Sequence, residues 1–407
     1  MKYFTLIASA LAASLLCNAY LLEATNQTTL DRVALTKRWV SAETTRAKGS
    51  KFPYLSAWPV VCTSPRISQP LYYCFEDKRS AKNLGEIVDA AIRIWAPAIA
   101  VTSMSIAPDP QCKNSAECIC DDSWAKTDSL LISDSTKDGD DEWNNSEECQ
   151  TETTAGYKYL APDAAAEPWR HTLDFSKWTE KHREHKEETW PFAVRSMAHE
   201  LGHALGLLHE HQRSDRDQSL IFQPWNLAGY RELDDILQRD PKNLFEKSLP
   251  LRIRKLKILE SGSIAQHYWP SLLSYLRYDQ FTSTSGEHVL SSAKSSVDFD
   301  YNSIMIYDCF PGEAGDVKDP KTWVLRRLHD DLPFWTGGSM SARNTRITEG
   351  DIAAIAHLYD AKTPECEAAK TGKNDWSPQG MRIKIRDGPW VNVPPPNKSN
   401  FTKTGER

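Results

Sequence analysis

This sequence has little net charge and almost no long apolar runs. Its 407 residues carry a formal charge of -6, too small for a chain whose main work is holding phosphate backbones, so nucleic acid is excluded as an expected partner. After the apolar run Tyr3 to Cys17, no segment supplies about 20 consecutive apolar residues, which excludes a spanning helix from the mature chain. No internal repeat is evident. With 40% apolar and 26% charged residues, the chain can bury a real core and reads as globular, with room for one large domain or two modest ones.

Lys2, the apolar run and the small residues Cys17 and Ala19 have the layout of a secretory signal peptide, with cleavage expected near Ala19. Removing Cys17 leaves an even set of eight cysteines: Cys62, Cys74, Cys112, Cys118, Cys120, Cys149, Cys309 and Cys366. An oxidising, extracellular compartment with up to four disulfides follows, in a connectivity that spacing alone does not choose. Cys118-Ile-Cys120 reads as disulfide-forming rather than as half a metal site, since no histidine lies near it in sequence. Asn26, Asn144, Asn397 and Asn400 each open a glycosylation sequon, and Lys37-Arg38 is either a processing site before Trp39 or an ordinary exposed basic pair.

Along the chain, Pro70 to Phe75 predicts a strand, followed by a helix with Ser80 as N-cap and a stripe of Leu84, Ile87, Val88, Ala91, Ile92 and Trp95, ended by Pro97. Ser129 to Ser133 predicts a short buried strand. The acidic cluster Asp138 to Glu142 lacks the Gly and Glu placement of a calcium loop and reads as solvated. His182 and His185 are three apart, yet all their neighbours are charged, so residues 178–188 read as a solvated helix or loop. Between residues 231 and 295, Arg252, Arg254, Lys255 and Lys257 suggest a contact for an acidic partner, whereas the interleaved Leu and Ile suggest an element with one buried face. From Glu367 on, the chain reads as a flexible polar tail.

The chemistry concentrates between His199 and His209. Val194, Ala198, Leu201, Leu205 and Leu208 repeat at the spacing of one helical face, which places His199 and His203 one turn apart and pointing the same way. Gly206 can take a positive φ, so the chain can turn after Leu205 and bring His209 to the same ion. Three neutral imidazoles suit zinc and leave a position open for water. Glu200 projects beside the metal, where a carboxylate can take a proton from the attacking water and later return it to the leaving amine.

His-Glu-x-x-His-x-x-Gly-x-x-His is the signature of metzincin zinc proteases, and residues 199–209 match it throughout. Glu210 after the third histidine, with Arg213, Asp215, Arg216 and Asp217, resembles the astacin family, as does Leu220 to Leu227 beyond it. Asp298 to Tyr307 resembles the family's Met-turn, which implies Met305 as a floor beneath the metal and Tyr307 as a residue that stabilises the oxyanion. Ser341 to Tyr359, with Thr348 and Asp351 as a capping box, resembles the helix that closes astacin domains. The chain departs from the family in three places: Ile306 replaces a usual histidine, no aspartate-switch motif precedes Lys37, and no cysteine lies between Cys149 and His199. In relatives the counterpart of Glu210 helps to anchor the mature N-terminus, and Trp39 is the candidate for that terminus here if Lys37-Arg38 is a processing site.

The organisation expected is therefore a signal peptide (1–19), a short pro-segment (20–38), an astacin-like catalytic domain (39–366) and the tail (367–407). The resemblance implies an α+β metzincin domain in two halves about a zinc cleft: a twisted mixed sheet with an active-site helix, and an irregular half with the Met-turn. The function expected is secreted, zinc-dependent endopeptidase activity on protein or peptide substrates, with one catalytic ion. Its alternative is a secreted zinc-holding binding or adhesion protein that does not cut, which loss of Glu200 would have marked.

Overall fold

The computed structural model describes residues 40–41, 54–59, 61–63, 66–112, 117–121, 128–136, 151–159, 169–240, 242–280, 294–295, 298–307, 319–329, 346–359, 382–385 and 390–392. The signal and pro-segments, the dibasic pair, Trp39, the 138–142 cluster, the four sequons, and Cys149, Cys309 and Cys366 lie outside these residues, as does the side chain of Cys62. Among the described residues, no helix is long and apolar enough to cross a membrane. The chain divides into two compact units, Ser41–Leu207 with Ile352–Arg407, and Met1–Val40 with Leu208–Asp351.

The first unit is built on an eight-stranded sheet. Its strands are β2 (Val61–Thr63), β3 (Arg66–Phe75), β4 (Met104–Pro108), β5 (Leu130–Asp134), β6 (Glu152–Thr153), β8 (Thr172–Phe175), β11 (Arg382–Ile385) and β12 (Trp390–Asn392). The order is β12-β11-β2-β3-β5-β8-β6, with β4 beside β3. β3 runs parallel to β4 and β5, and β5 to β8, while β6 is antiparallel to β8. The sheet is therefore mixed. A separate antiparallel pair joins β1 (Tyr54–Ser56) to β7 (Tyr157–Tyr159). β11 and β12 fall in the segment read from sequence as a flexible tail. Arg-Ile-Lys-Ile and Trp-Val-Asn carry the β-branched and aromatic residues that favour pairing, and β11 pairs parallel to β2.

Helix α1 (Lys78–Ala100) follows β3 and buries Leu84, Ile87, Val88, Ala91 and Trp95, as the apolar spacing predicts. Its two ends differ from expectation. The N-cap is Asp77, whose carboxylate accepts the Ser80 N–H at 2.7 Å, while the Ser80 hydroxyl is buried and accepts the Asp134 N–H at 3.0 Å. Pro97 sits inside the last turn and does not end the helix. Proline forgoes its own N–H and crowds the carbonyl four residues back, yet Ala98 beyond it packs fully buried and the Val101 N–H closes on the Ala98 carbonyl at 3.3 Å.

Cys74 bonds to Cys120, and Cys112 to Cys118. The Cys118-Ile-Cys120 run thus forms disulfides, with Cys118 and Cys120 hydrogen-bonded through their backbones to Phe75.

Residues 178–188 differ in part from their reading as solvated. They hold the short helix α2 (Glu180–Glu184), and His185 is exposed. His182, however, is buried: its ring stacks on that of Trp178, and its Nδ1 lies 2.6 Å from the Thr179 hydroxyl. The apolar support comes from Trp178, which packs against Trp190.

The second unit packs α4 (Leu233–Arg239), α5 (Leu251–Leu259) and α6 (Gly262–Tyr268) around a core that includes Leu237, Ile258, Leu272, Tyr275 and Trp323. The antiparallel pair β9 (Leu220–Phe222) and β10 (Leu325–Arg327) joins that core through Leu220 and Leu325. In α5 one face is buried, with Ile258 in the core, while Arg252 and Lys257 are exposed. Even Arg254 is buried, its guanidinium donating to the carbonyls of Leu237, Glu246, Lys247 and Leu249. Helix α7 (Glu349–Leu358) opens on the expected capping box: the Thr348 N–H donates to Asp351 at 2.9 Å, and the Asp351 N–H to the Thr348 hydroxyl at 3.1 Å. With helices beside a mixed sheet, the fold class is α+β.

Candidate metal centre

Helix α3 (Lys186–Ala204) carries His199, Glu200 and His203. Ala193, Val194, Met197, Ala198, Leu201 and Ala204 form its buried side, and Glu187 and Glu188 in the first turn complement the helix dipole. The Trp95 indole of α1 donates to the Ala198 carbonyl at 2.9 Å and ties the two helices together.

The end of α3 is fully accounted for. Gly206 has φ +97, and the turn closes as a Schellman motif, Gly206 N–H to His203 O at 2.7 Å and Leu207 N–H to Gly202 O at 2.9 Å. The carbonyls that no helical N–H reaches find other donors. Trp58 donates its indole N–H to Ala204 O at 2.7 Å, and Tyr359 donates its hydroxyl to Leu205 O at 2.9 Å. Gly156 N–H reaches His203 O at 2.8 Å. The backbone turn that sequence assigned to Gly206 is thus present and rigidly held.

Nitrogens of His199, His203 and His209 lie within 4.8 Å of one another. An ion at about 2.0–2.1 Å from each nitrogen fits such a spacing. The rings are oriented from behind: His203 Nδ1 lies 2.9 Å from Leu207 O, and His209 Nδ1 lies 2.7 Å from Gln212 Oε1. Both contacts call for hydrogen on Nδ1 and turn a bare Nε2 towards a metal. Burial pushes the His203 imidazole down to about 4, which keeps it neutral and ligand-ready. The donor set and its supports therefore fit zinc.

Burial pushes the Glu200 carboxyl up to about 8, against the pull of the Thr153 hydroxyl on β6, which donates to Oε2 at 2.7 Å. A cation held by the neighbouring imidazoles would favour the charged carboxylate.

Glu210 is buried, and its carboxyl is raised to about 7 by that burial, against the Arg213 guanidinium. Its Oε1 accepts from Arg213 at 2.9 Å and from the Asp300 N–H at 3.0 Å. Arg213 also clamps both oxygens of Asp215 and donates to Asp298 O at 2.8 Å. The Glu210 N–H donates to Met305 O at 3.0 Å.

Met305 is buried within a turn, and Ile306, at the position where relatives carry histidine, packs into the apolar core. The Tyr307 ring centre lies 4.5 Å from those of His209 and His211, and its N–H donates to His211 Nδ1 at 3.2 Å. Among the described residues, the metal-capable group comprises the three predicted histidines, and His182 and His185 are not part of it.

Sequence reasoning missed Thr153 and Gln212. Nothing in the sequence marks Thr153, which reaches Glu200 from a strand dozens of residues earlier. Gln212 stands three residues after His209, a spacing that would have flagged it.

Residues 192–252 match the profile of Astacin (Peptidase family M12A). "Astacin-like metalloprotease toxin 4" of Loxosceles laeta is 46% identical over 52 residues, 12% of this chain and 40% of that protein. The chain thus spans less than half the length of this curated relative. Among solved structures, high choriolytic enzyme 1, a hatching-enzyme zinc protease from Oryzias latipes (medaka fish), is similar with TM-score 0.38 and 14% identity, covering 72% of this chain and 91% of that one. Myroilysin is similar with TM-score 0.34 and 13% identity, covering 75% of this chain and 97% of that one. The astacin profile and the Loxosceles laeta relative are similar to a limited stretch of the chain, and residues 192–252 hold the three histidines, Glu200, Glu210 and Arg213.

Proposed function

We propose that the protein is a secreted zinc endopeptidase that hydrolyses internal bonds of protein or peptide substrates. The observation that carries this is the convergence of the three histidines, two with Nδ1 already engaged, on the run that also holds Glu200. When bound, one zinc ion supplies the Lewis acidity that acidifies water and polarises a carbonyl. His199, His203 and His209 would hold it through their ring nitrogens.

Glu200 is the proton carrier. Its carboxylate takes a proton as water adds to the peptide carbonyl and delivers it to the leaving nitrogen, and the Thr153 hydroxyl holds that carboxylate in place. Tyr307 offers a phenolic O–H to the oxyanion that develops on the carbonyl oxygen. Its ring is braced between His209 and His211. Two disulfides support export to an oxidising compartment.

The test is cleavage of a denatured protein by the purified chain, with and without a zinc chelator, beside Glu200→Ala. Activity should fall by about 10²–10⁴ in the variant and vanish on chelation. Equal cleavage in all three samples would sink the proposal.

A further inference from the structure

His209 and His203 are steered by different kinds of acceptor. Gln212 follows His209 by three residues and closes the 3-10 turn Glu210–Gln212, a geometry that brings side chains at this spacing over one another. Gln212 is buried, so each polar atom of its amide needs a partner. Its Nε2 donates to Leu273 O and to Leu276 O, both at 2.9 Å. Those two bonds use both amide hydrogens and fix which way the amide faces. Oε1 then points at His209 Nδ1 from 2.7 Å. An amide oxygen only accepts, so Nδ1 must carry the imidazole hydrogen and Nε2 is left bare.

We propose that Gln212 is a positioning residue that sets the tautomer of the third metal ligand, and that residues 270–278 serve to hold its amide in the required orientation. The inference rests on the zinc reading above and adds a role for a stretch that the metal motif does not include. The same stretch grips the ligand's neighbours. Ser274 O takes the His211 Nε2 hydrogen at 2.8 Å, Tyr275 O accepts from Arg216, and the Tyr278 hydroxyl accepts the N–H of His209 itself. A Gln facing two fixed carbonyls cannot flip without setting its oxygen against theirs, so the orientation is enforced rather than chosen.

The experiment compares Gln212→Leu, Gln212→Glu and Gln280→Leu with the unaltered chain. Gln280 is the control, since it bonds Leu259 O at 2.9 Å in the same region. Zinc affinity is read by chelator competition, and the His209 tautomer by nitrogen chemical shifts in the zinc-stripped protein. Gln212→Leu should weaken zinc by about 10–100-fold, and Gln280→Leu by less than about 3-fold. Gln212→Glu keeps an acceptor towards Nδ1 and should retain the Nδ1–H tautomer even where its stability falls. An unchanged affinity in Gln212→Leu, an equal loss in Gln280→Leu, or an Nε2–H tautomer in the unaltered chain would overturn the inference. Failure of the unaltered chain to bind zinc would instead remove the zinc reading, and the tautomer measurement would still decide the role of Gln212.

Discussion

His203 and His209 are the same residue with the same proposed task, yet they are supported in opposite ways. His203 leans on Leu207 O, four residues on, delivered by the Gly206 turn at the end of its own helix. His209 leans on Gln212, whose amide is set by carbonyls some sixty residues away. The first support is local and is encoded in a handful of adjacent letters. The second is a tertiary construction that forms only once residues 270–278 have packed. Of the two proposed ligands, one is thus preorganised by helix geometry and the other depends on the fold of a separate stretch.

The largest expected effect is that of Arg213→Met, which tests how the stretch carrying Gln212 is itself held. The Arg213 side chain is 1% exposed and serves Glu210, Asp215 and Asp298 O together. Removing it leaves Glu210 in the interior without its cation, which costs about 3–5 kcal/mol. Chemical denaturation should show a loss of that size. A loss under about 1 kcal/mol, the worth of an exposed pair, would mean that the His209 to Arg216 stretch is held by other contacts.

The turn that holds Met305 offers a pH test of the same half. Asp351 accepts from the Ser303 hydroxyl at 2.6 Å and the Ile304 N–H at 3.1 Å. Burial, with Asp300 adding to it, raises its carboxyl to about 6 from 3.8. Between these values the folded state binds more protons than the unfolded state, so stability falls as pH rises from about 4 through about 6 and is flat beyond. The difference of roughly two pKa units corresponds to about 3 kcal/mol. Asp351→Asn should flatten that slope in melts taken across the window. A slope that survives the substitution would assign the dependence to other groups.

The contrast between the two supports also explains what was legible in the sequence. His199, His203, the Gly206 turn and the Thr348–Asp351 cap were readable because each depends on neighbours within a few residues. The stripe of α1 was readable for the same reason, but its ends were not. Ser80 looks like a cap in isolation and is diverted by the Asp134 N–H, and Pro97 looks like a stop but is carried by the burial of Ala98. His182 reads as solvated because its immediate neighbours are charged, whereas its ring stacks on Trp178 four residues earlier, a local partner that the charge pattern hides. Thr153 on Glu200 and the carbonyls behind Gln212 belong to pairings across the fold, which no local pattern records.

Gly206→Ala is the smallest perturbation, and it should give the mirror image of the Gln212 result. At φ +97 a Cβ is strained, and the left-handed region costs a non-glycine residue about 1–2 kcal/mol. The motif around it can hold that strain, because Leu207 N–H, Gly156 N–H, Trp58 and Tyr359 all fasten the same end of α3. His203 should then keep its contact with Leu207 O. The expected outcome is a lower melting temperature with zinc affinity changed by less than about 3-fold, whereas Gln212→Leu should move affinity by about 10–100-fold. Loss of zinc in Gly206→Ala at an unchanged melting temperature would show that the local support is the fragile one, and would reverse the comparison between the two histidines.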